Sequence, residues 1–259
     1  MTSEIDKTVE YLRNRGVGEI AGAVSTGSGQ TLQFPELETI LELPYDNLPG
    51  FGDPSIPGHS GLLKFIKGGD GVWAIWTGRR HFYQGFSFDE IGYYIDISNA
   101  LGAGRLICIN AAGGLDPSLS VGDLVIIEKF RCFIPIPGHP HELDGSPWRE
   151  TSKTFADSIG ESAKSCSIEV GSGSYAGVPG PTYETEAEVK WLRKLGCNVV
   201  GMSTVPELIR GMDHGMKAVA LSAVANVHGT EDKLTHEEVV RAGEKSAGDI
   251  GRLLTALIG

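Results

Sequence analysis

Glu184 and Ser203 each stand just past the end of an apolar run. The first run breaks at Gly180-Pro181 and restarts as a helix-like segment over residues 184–195. The second, residues 197–201, ends in Met202-Ser203-Thr204. Ligands of α/β proteins collect at the carboxyl ends of strands. A carboxylate there accepts paired N–H donors, and a hydroxyl beside a helix start holds an anion. The same residues also suit plain punctuation, with Thr182 or Thr185 and Ser203 or Thr204 as caps and Glu184 in a first turn. Other spots offer matching chemistry. Ser28, between Gly27 and Gly29, sits in a tight loop whose amides and hydroxyl suit a phosphate, or simply a turn. His59 lies in a Gly-rich stretch. Arg79, Arg80 and His81 follow a strand-like run and make the densest cationic spot in the chain. Arginine forks match phosphate oxygens and histidine adds a donor, although a solvated basic turn has the same composition. Asn226 ends a run that is apolar but for Ser222 and offers one donor group and one acceptor.

The elements that must hold these residues alternate between strand and helix periods. Ile5, Val9 and Leu12 recur at helical spacing and stop at Gly16. Strands are expected over 19–25, 72–76, 105–109, 121–130 and 218–225, and helices over 88–101 and 150–166. Residues 110–114, Asn-Ala-Ala-Gly-Gly, are expected beyond their strand, where small side chains admit a ligand or close packing. Residues 50–61 and 131–148 are rich in Pro or Gly and read as loops, the second long enough for a binding element. Thr235 and Glu238 fit a capping box for a last helix, with His236 just inside it. This alternation implies one α/β domain spanning residues 1–259.

Composition narrows the function. The 259 residues carry a net charge of −11, which argues against a nucleic-acid surface and means that an anionic substrate needs a local cationic pocket. Cys108, Cys132, Cys166 and Cys197 lack C-x-x-C spacing and are expected as free thiols of a reducing compartment. The start is charged, without the apolar core of a signal peptide, and no run reaches transmembrane length, so a cytoplasmic protein with no membrane partner is expected.

Taken in order, Gly27-Ser28-Gly29, Gly58-His59-Ser60-Gly61, Gly78-Arg79-Arg80-His81-Phe82-Tyr83, Asn110-Ala111-Ala112-Gly113-Gly114, Gly180-Pro181-Thr182-Tyr183-Glu184-Thr185, Gly201-Met202-Ser203-Thr204-Val205-Pro206-Glu207 and Asn226 resemble the trimeric class of purine nucleoside phosphorylases, the branch handling 6-oxopurines. The resemblance runs from about residue 20 to the end. It implies a mixed central β-sheet surrounded by helices, a homotrimer, and phosphorolysis of inosine, guanosine and xanthosine. It implies no metal and no cofactor, inorganic phosphate being a co-substrate. It further implies that Ser28, His59, Arg79, His81, Ser203 and the amide of Ala111 bind phosphate. Tyr83 and Met202 then meet the ribose, His236 its 5′-hydroxyl, and Glu184 and Asn226 the base, with Tyr183 stacked on the purine. The catalytic set so implied is Asn226, Glu184 and His81. The chain departs from the family at Gln84, often Glu, at Ala225, often Thr, and in a short 131–148 segment where Phe133 or Trp148 would have to supply an aromatic to the neighbouring subunit. A methylthioadenosine phosphorylase of the same fold and a catalytically silent nucleoside-binding protein are the alternatives.

Overall fold

The apolar runs assemble into one sheet because they alternate between two cores. A computed structural model describes residues 4–27, 32–34, 36–51, 61–138, 143–145, 150–229 and 236–259, with the side chains of 143–145, 150–151 and 236–242 excepted. Among these residues the strands are β1 (Ile20–Thr26), β2 (Glu38–Pro44), β3 (Leu62–Gly68), β4 (Gly71–Thr77), β5 (Arg105–Gly114), β6 (Leu124–Cys132), β7 (Leu143–Gly145), β8 (Val170–Gly177), β9 (Val199–Gly201) and β10 (Lys217–Val227). The helices are α1 (Glu4–Arg13), α2 (Phe88–Ala100), α3 (Glu150–Ser165), α4 (Glu186–Lys194), α5 (Val205–Asp213) and α6 (His236–Ile258).

Along β5, Leu106, Cys108 and Ala112 enter one core with residues of α1, α2 and α5, while Ile107 and Ile109 enter a second core with residues of α3 and α6. That is the period-two alternation of a strand covered on both faces. β5 lies parallel to β1 on one side and to β10 on the other. β10 then pairs antiparallel with β6, β6 and β8 pair in parallel, β8 and β9 pair in parallel, and β9 returns antiparallel to β5 at Gly113 and Gly114. The pairings β5–β10–β6–β8–β9–β5 therefore close into a ring. Beyond β1 the sheet continues through β4, β3 and β2, the last two pairings being antiparallel, and β7 adds to β6. The α/β class with a mixed central sheet and surrounding helices is as the sequence implied.

Five local readings change. Residues 110–114 continue β5 rather than follow it, because they pair with β10 and β9. Their small size serves the closure: a Cβ on Gly113 would lie 3.4 Å from Val200 Cγ1. Asn226 falls inside β10, just past a register shift between Val224 and Asn226. Glu184 precedes α4 instead of opening it, since Thr185 is the N-cap, with a reciprocal bond to Glu188. β2 and β3 went unforeseen because β2 is a mostly exposed strand with little apolar alternation. Within the segment expected as a long loop, β7 is a strand, and residues 139–142 and 146–149 lie outside the described residues. All four cysteines are free, with Cys108, Cys132 and Cys197 buried. Among the described residues no helix is long and apolar enough to cross a membrane.

Candidate functional site

Carboxyl ends of several strands meet at one end of the ring. Past β4, Gly78 turns the chain with φ of +92°, a conformation glycine adopts without penalty, and delivers Arg79 and His81. β5 brings Ala111, the segment between β8 and α4 brings Tyr183 and Glu184, and the turn after β9 brings Met202 and Ser203. β10 brings Asn226. One cleft is lined by His81, Tyr83, Ala111, Tyr183, Glu184, Met202, Ser203 and Asn226. Eight of the twelve residues singled out from sequence are thus gathered together. Ser28, His59, Trp148 and the side chain of His236 lie outside what the structure describes.

Arg79 lies one layer behind this wall, with its side chain only 2% exposed. Its guanidinium donates to Ser203 Oγ at 2.9 Å and Thr204 Oγ1 at 3.1 Å. It also donates to the carbonyl of Ser25 at 3.3 Å and to that of Ile109. Glu207 Oε2 stands 3.4 Å from Nη1, and Glu207 Oε1 accepts from Ser25 Oγ at 3.1 Å. A buried pair of this kind persists only when its remaining donors and acceptors are satisfied, as most are here. Thr204, which supplies the second of these hydroxyls, has φ of +72° and ψ of −51°, and Val205 N–H donates to the Ser203 carbonyl at 2.8 Å. This is a γ-turn, a strained form for a β-branched residue. Tyr175, buried on β8, donates to the same Ser203 carbonyl at 3.3 Å.

His81 has a fixed tautomer. Its backbone N–H donates to Gln84 Oε1 at 2.8 Å, and its Nδ1 lies 3.0 Å from that oxygen. An amide oxygen receiving a backbone N–H is an acceptor only, so Nδ1 carries the proton and Nε2 keeps a lone pair. Burial, helped by the Arg79 charge, pulls the imidazole down to about 4. Tyr83 stacks on His81 with centroids 4.8 Å apart.

The wall formed by Tyr183, Glu184 and Asn226 is looser. Tyr183 is 80% exposed, and Asn226 is exposed as well. The Glu184 side chain is 6% exposed, and its Oε2 lies 3.3 Å from Nε2 of His228. A shallow groove adjoins the cleft beyond Tyr183, and its wall includes Phe133 and Trp191, packed with centroids 5.0 Å apart.

Two participants escaped the sequence reading as site residues. Glu207 had a signal: it is an acid inside a segment whose neighbours Val205, Pro206, Leu208 and Ile209 are all buried. His228 had a weaker one, a second polar residue two positions after Asn226.

The phosphorylase superfamily model matches residues 23–259. A purine nucleoside phosphorylase of Bacillus subtilis is 35% identical over 100% of this chain and 98% of its own. One from Geobacillus stearothermophilus is 30% identical, covering 98% of this chain and 96% of its own. The chain belongs to the purine nucleoside phosphorylase family. The Schistosoma mansoni purine nucleoside phosphorylase solved in complex with inosine superposes with a TM-score of 0.81 at 28% identity, over 98% of this chain and 95% of that one. The purine nucleoside phosphorylase fold thus extends across nearly the whole chain. As a member of that family the protein is a pentosyltransferase acting on purine nucleosides.

Proposed function

We propose that the enzyme cleaves 6-oxopurine nucleosides, inosine, guanosine and xanthosine, by phosphorolysis, with inorganic phosphate as co-substrate and no metal or organic cofactor. The observation that carries this reading is the meeting of Glu184 and Asn226 with His81 and Ser203 in one cleft. Phosphate sits against His81, Ser203 and the Ala111 amide, with Ser28 and His59 completing the set. Arg79 acts through its bond to Ser203 and its charge. The lone pair on His81 Nε2 accepts a hydrogen bond from the O–H group of hydrogen phosphate. Tyr83 and Met202 contact the ribose, and His236 its 5′-hydroxyl.

The C1′–N9 bond breaks as a phosphate oxygen bonds to C1′. The sugar passes through a state with oxocarbenium character, which the adjacent anion stabilises, and preset orientation removes much of the entropic cost. The bonding pair leaves with the purine. Asn226 donates to O6 and accepts from protonated N7, while ionised Glu184 accepts from N1–H and from a 2-amino group. Tyr183 covers the ring. Adenine brings an unprotonated N1 against that carboxylate and leaves buried polar groups unpaired, a mismatch of ~10²-fold or more in kcat/KM. Asn226 and His236 also favour this reading over methylthioadenosine. A homotrimer is part of the proposal, and the exposed Tyr183 and Trp191 beside the cleft support a subunit contact there. The test is phosphate-dependent base release across inosine, guanosine, xanthosine, adenosine and methylthioadenosine. Turnover of adenosine equal to that of inosine overturns the specificity, and release without phosphate overturns phosphorolysis.

A further inference from the structure

His228 belongs to the cleft and has no role in the reading above. Its main chain is tied on both sides. Its N–H donates to the Gly114 carbonyl at 2.9 Å, and its carbonyl accepts from Arg193 Nη2 at 2.6 Å. Arg193 in turn donates to the Leu115 carbonyl at 2.5 Å, so the end of β10 is fastened to the end of β5. The ring occupies space that only a glycine leaves open, since a Cβ on Gly113 would stand 2.8 Å from His228 Nε2. That Nε2 is buried and makes no hydrogen bond. The charged group it does approach is Glu184 Oε2, at 3.3 Å. A buried N–H without an acceptor is costly, and a carboxylate is the acceptor that relieves the cost most.

We infer that His228 is the positioning residue for Glu184: its Nε2–H engages Oε2 when substrate is bound and so sets how the enzyme weighs a hydrogen against an amino group at purine C2. This rests on Glu184 reading the N1 edge of the base. With hypoxanthine, N1–H takes Oε1 and His228 takes Oε2, so both carboxylate oxygens are satisfied. With guanine, the 2-amino group supplies its own donor to Oε2, and His228 shares an oxygen that is already served. Removing the imidazole therefore hurts inosine more than guanosine.

The test compares kcat/KM for inosine and guanosine in the wild type, His228→Ala, His228→Gln and Glu184→Gln. His228→Ala is expected to lower kcat/KM for inosine by about tenfold and that for guanosine by severalfold less, a range set by one hydrogen bond to a charged group. His228→Gln, which keeps an N–H at comparable reach, is expected to restore much of the ratio. Loss of packing alone would lower both substrates together and leave the ratio unmoved. That result, or an inosine-to-guanosine ratio that rises, overturns the assignment. Glu184→Gln separates the two layers. If it leaves inosine turnover unchanged, the base-edge reading itself fails. If it lowers turnover while His228→Ala does not shift the ratio, the edge reading stands and the role of His228 falls. Thermal unfolding of each variant shows whether a loss reflects misfolding.

Discussion

The two walls of the cleft, those we propose for phosphate and for the base, are built to opposite plans. Behind Ser203, Arg79 is enclosed by carbonyls, hydroxyls and the Glu207 carboxylate, and it is almost sealed from solvent. On the other wall Tyr183 and Asn226 are exposed, and His228 Nε2 has no bonded partner. One half is largely wired before any ligand arrives, with Arg79 Nε and Glu207 Oε2 its exceptions, whereas the other leaves exposed donors and acceptors for the ligand to complete. In the proposed reaction phosphate is invariant, so a rigid anion seat costs no versatility. The base is the variable reactant, and its wall carries the residues whose exchange would retune preference.

The sharpest way to break this contrast is at Arg79. Arg79→Met strands Glu207 as a buried, unpaired charge and is expected to cost about 3–5 kcal/mol of stability by urea unfolding. The same variant should lose ~10³-fold in kcat, the scale of losing preorganised electrostatic support. Arg79→Met combined with Glu207→Met should recover most of the stability and none of the activity. Recovery of activity would show that the guanidinium serves the fold alone. Next in size is Asn226→Asp, which puts an acceptor-only group against O6. It is expected to lower kcat/KM for inosine by ~10²-fold and shift preference toward 6-aminopurines, with stability nearly unchanged. Unaltered selectivity would remove Asn226 from base recognition.

Gln84→Glu tests how the wired wall tunes His81. An anion at Nδ1 favours the protonated ring, so the imidazole should rise from about 4 toward neutrality. In the wild type the depressed value means that the unfolded chain binds the extra proton first. His81 therefore adds stability above about pH 6.5 that is lost as pH falls toward 4. Gln84→Glu should narrow that window and bring a new acidic limb into the pH profile of kcat/KM for phosphate. A profile that does not move would detach Gln84 from His81. The smallest effect is expected from Tyr183→Ala. The exposed ring supports little of the fold, so stability should hold within about 0.5 kcal/mol while KM for nucleoside rises severalfold.

The sequence exposed these two walls unequally. Strand and helix periods were enough to foresee β1, β4, α1 and α2, because local apolar patterning dictates them, whereas the convergence of His81, Glu184, Ser203 and Asn226 was implied only by the resemblance that their motifs carry together. Glu207 and His228 were harder to see, since each gains meaning only from a partner far away in the chain. The extension of β5 through Gly114 was hidden for a related reason. Its small residues read as a turn until the pairing with β9 supplies their neighbours.

The closed circuit of β5, β10, β6, β8 and β9 has a mechanical side. Among the described residues this cylinder of strands leaves no free edge near the cleft, so Ala111 and Asn226 ride on a rim that resists shear, with Ser203 just past the end of β9. Spreading them apart would mean tearing a whole ladder. In the proposed reaction such a rim would hold anion and leaving base at a fixed separation, and among the described residues the exposed Tyr183 stands at the mouth of the cleft.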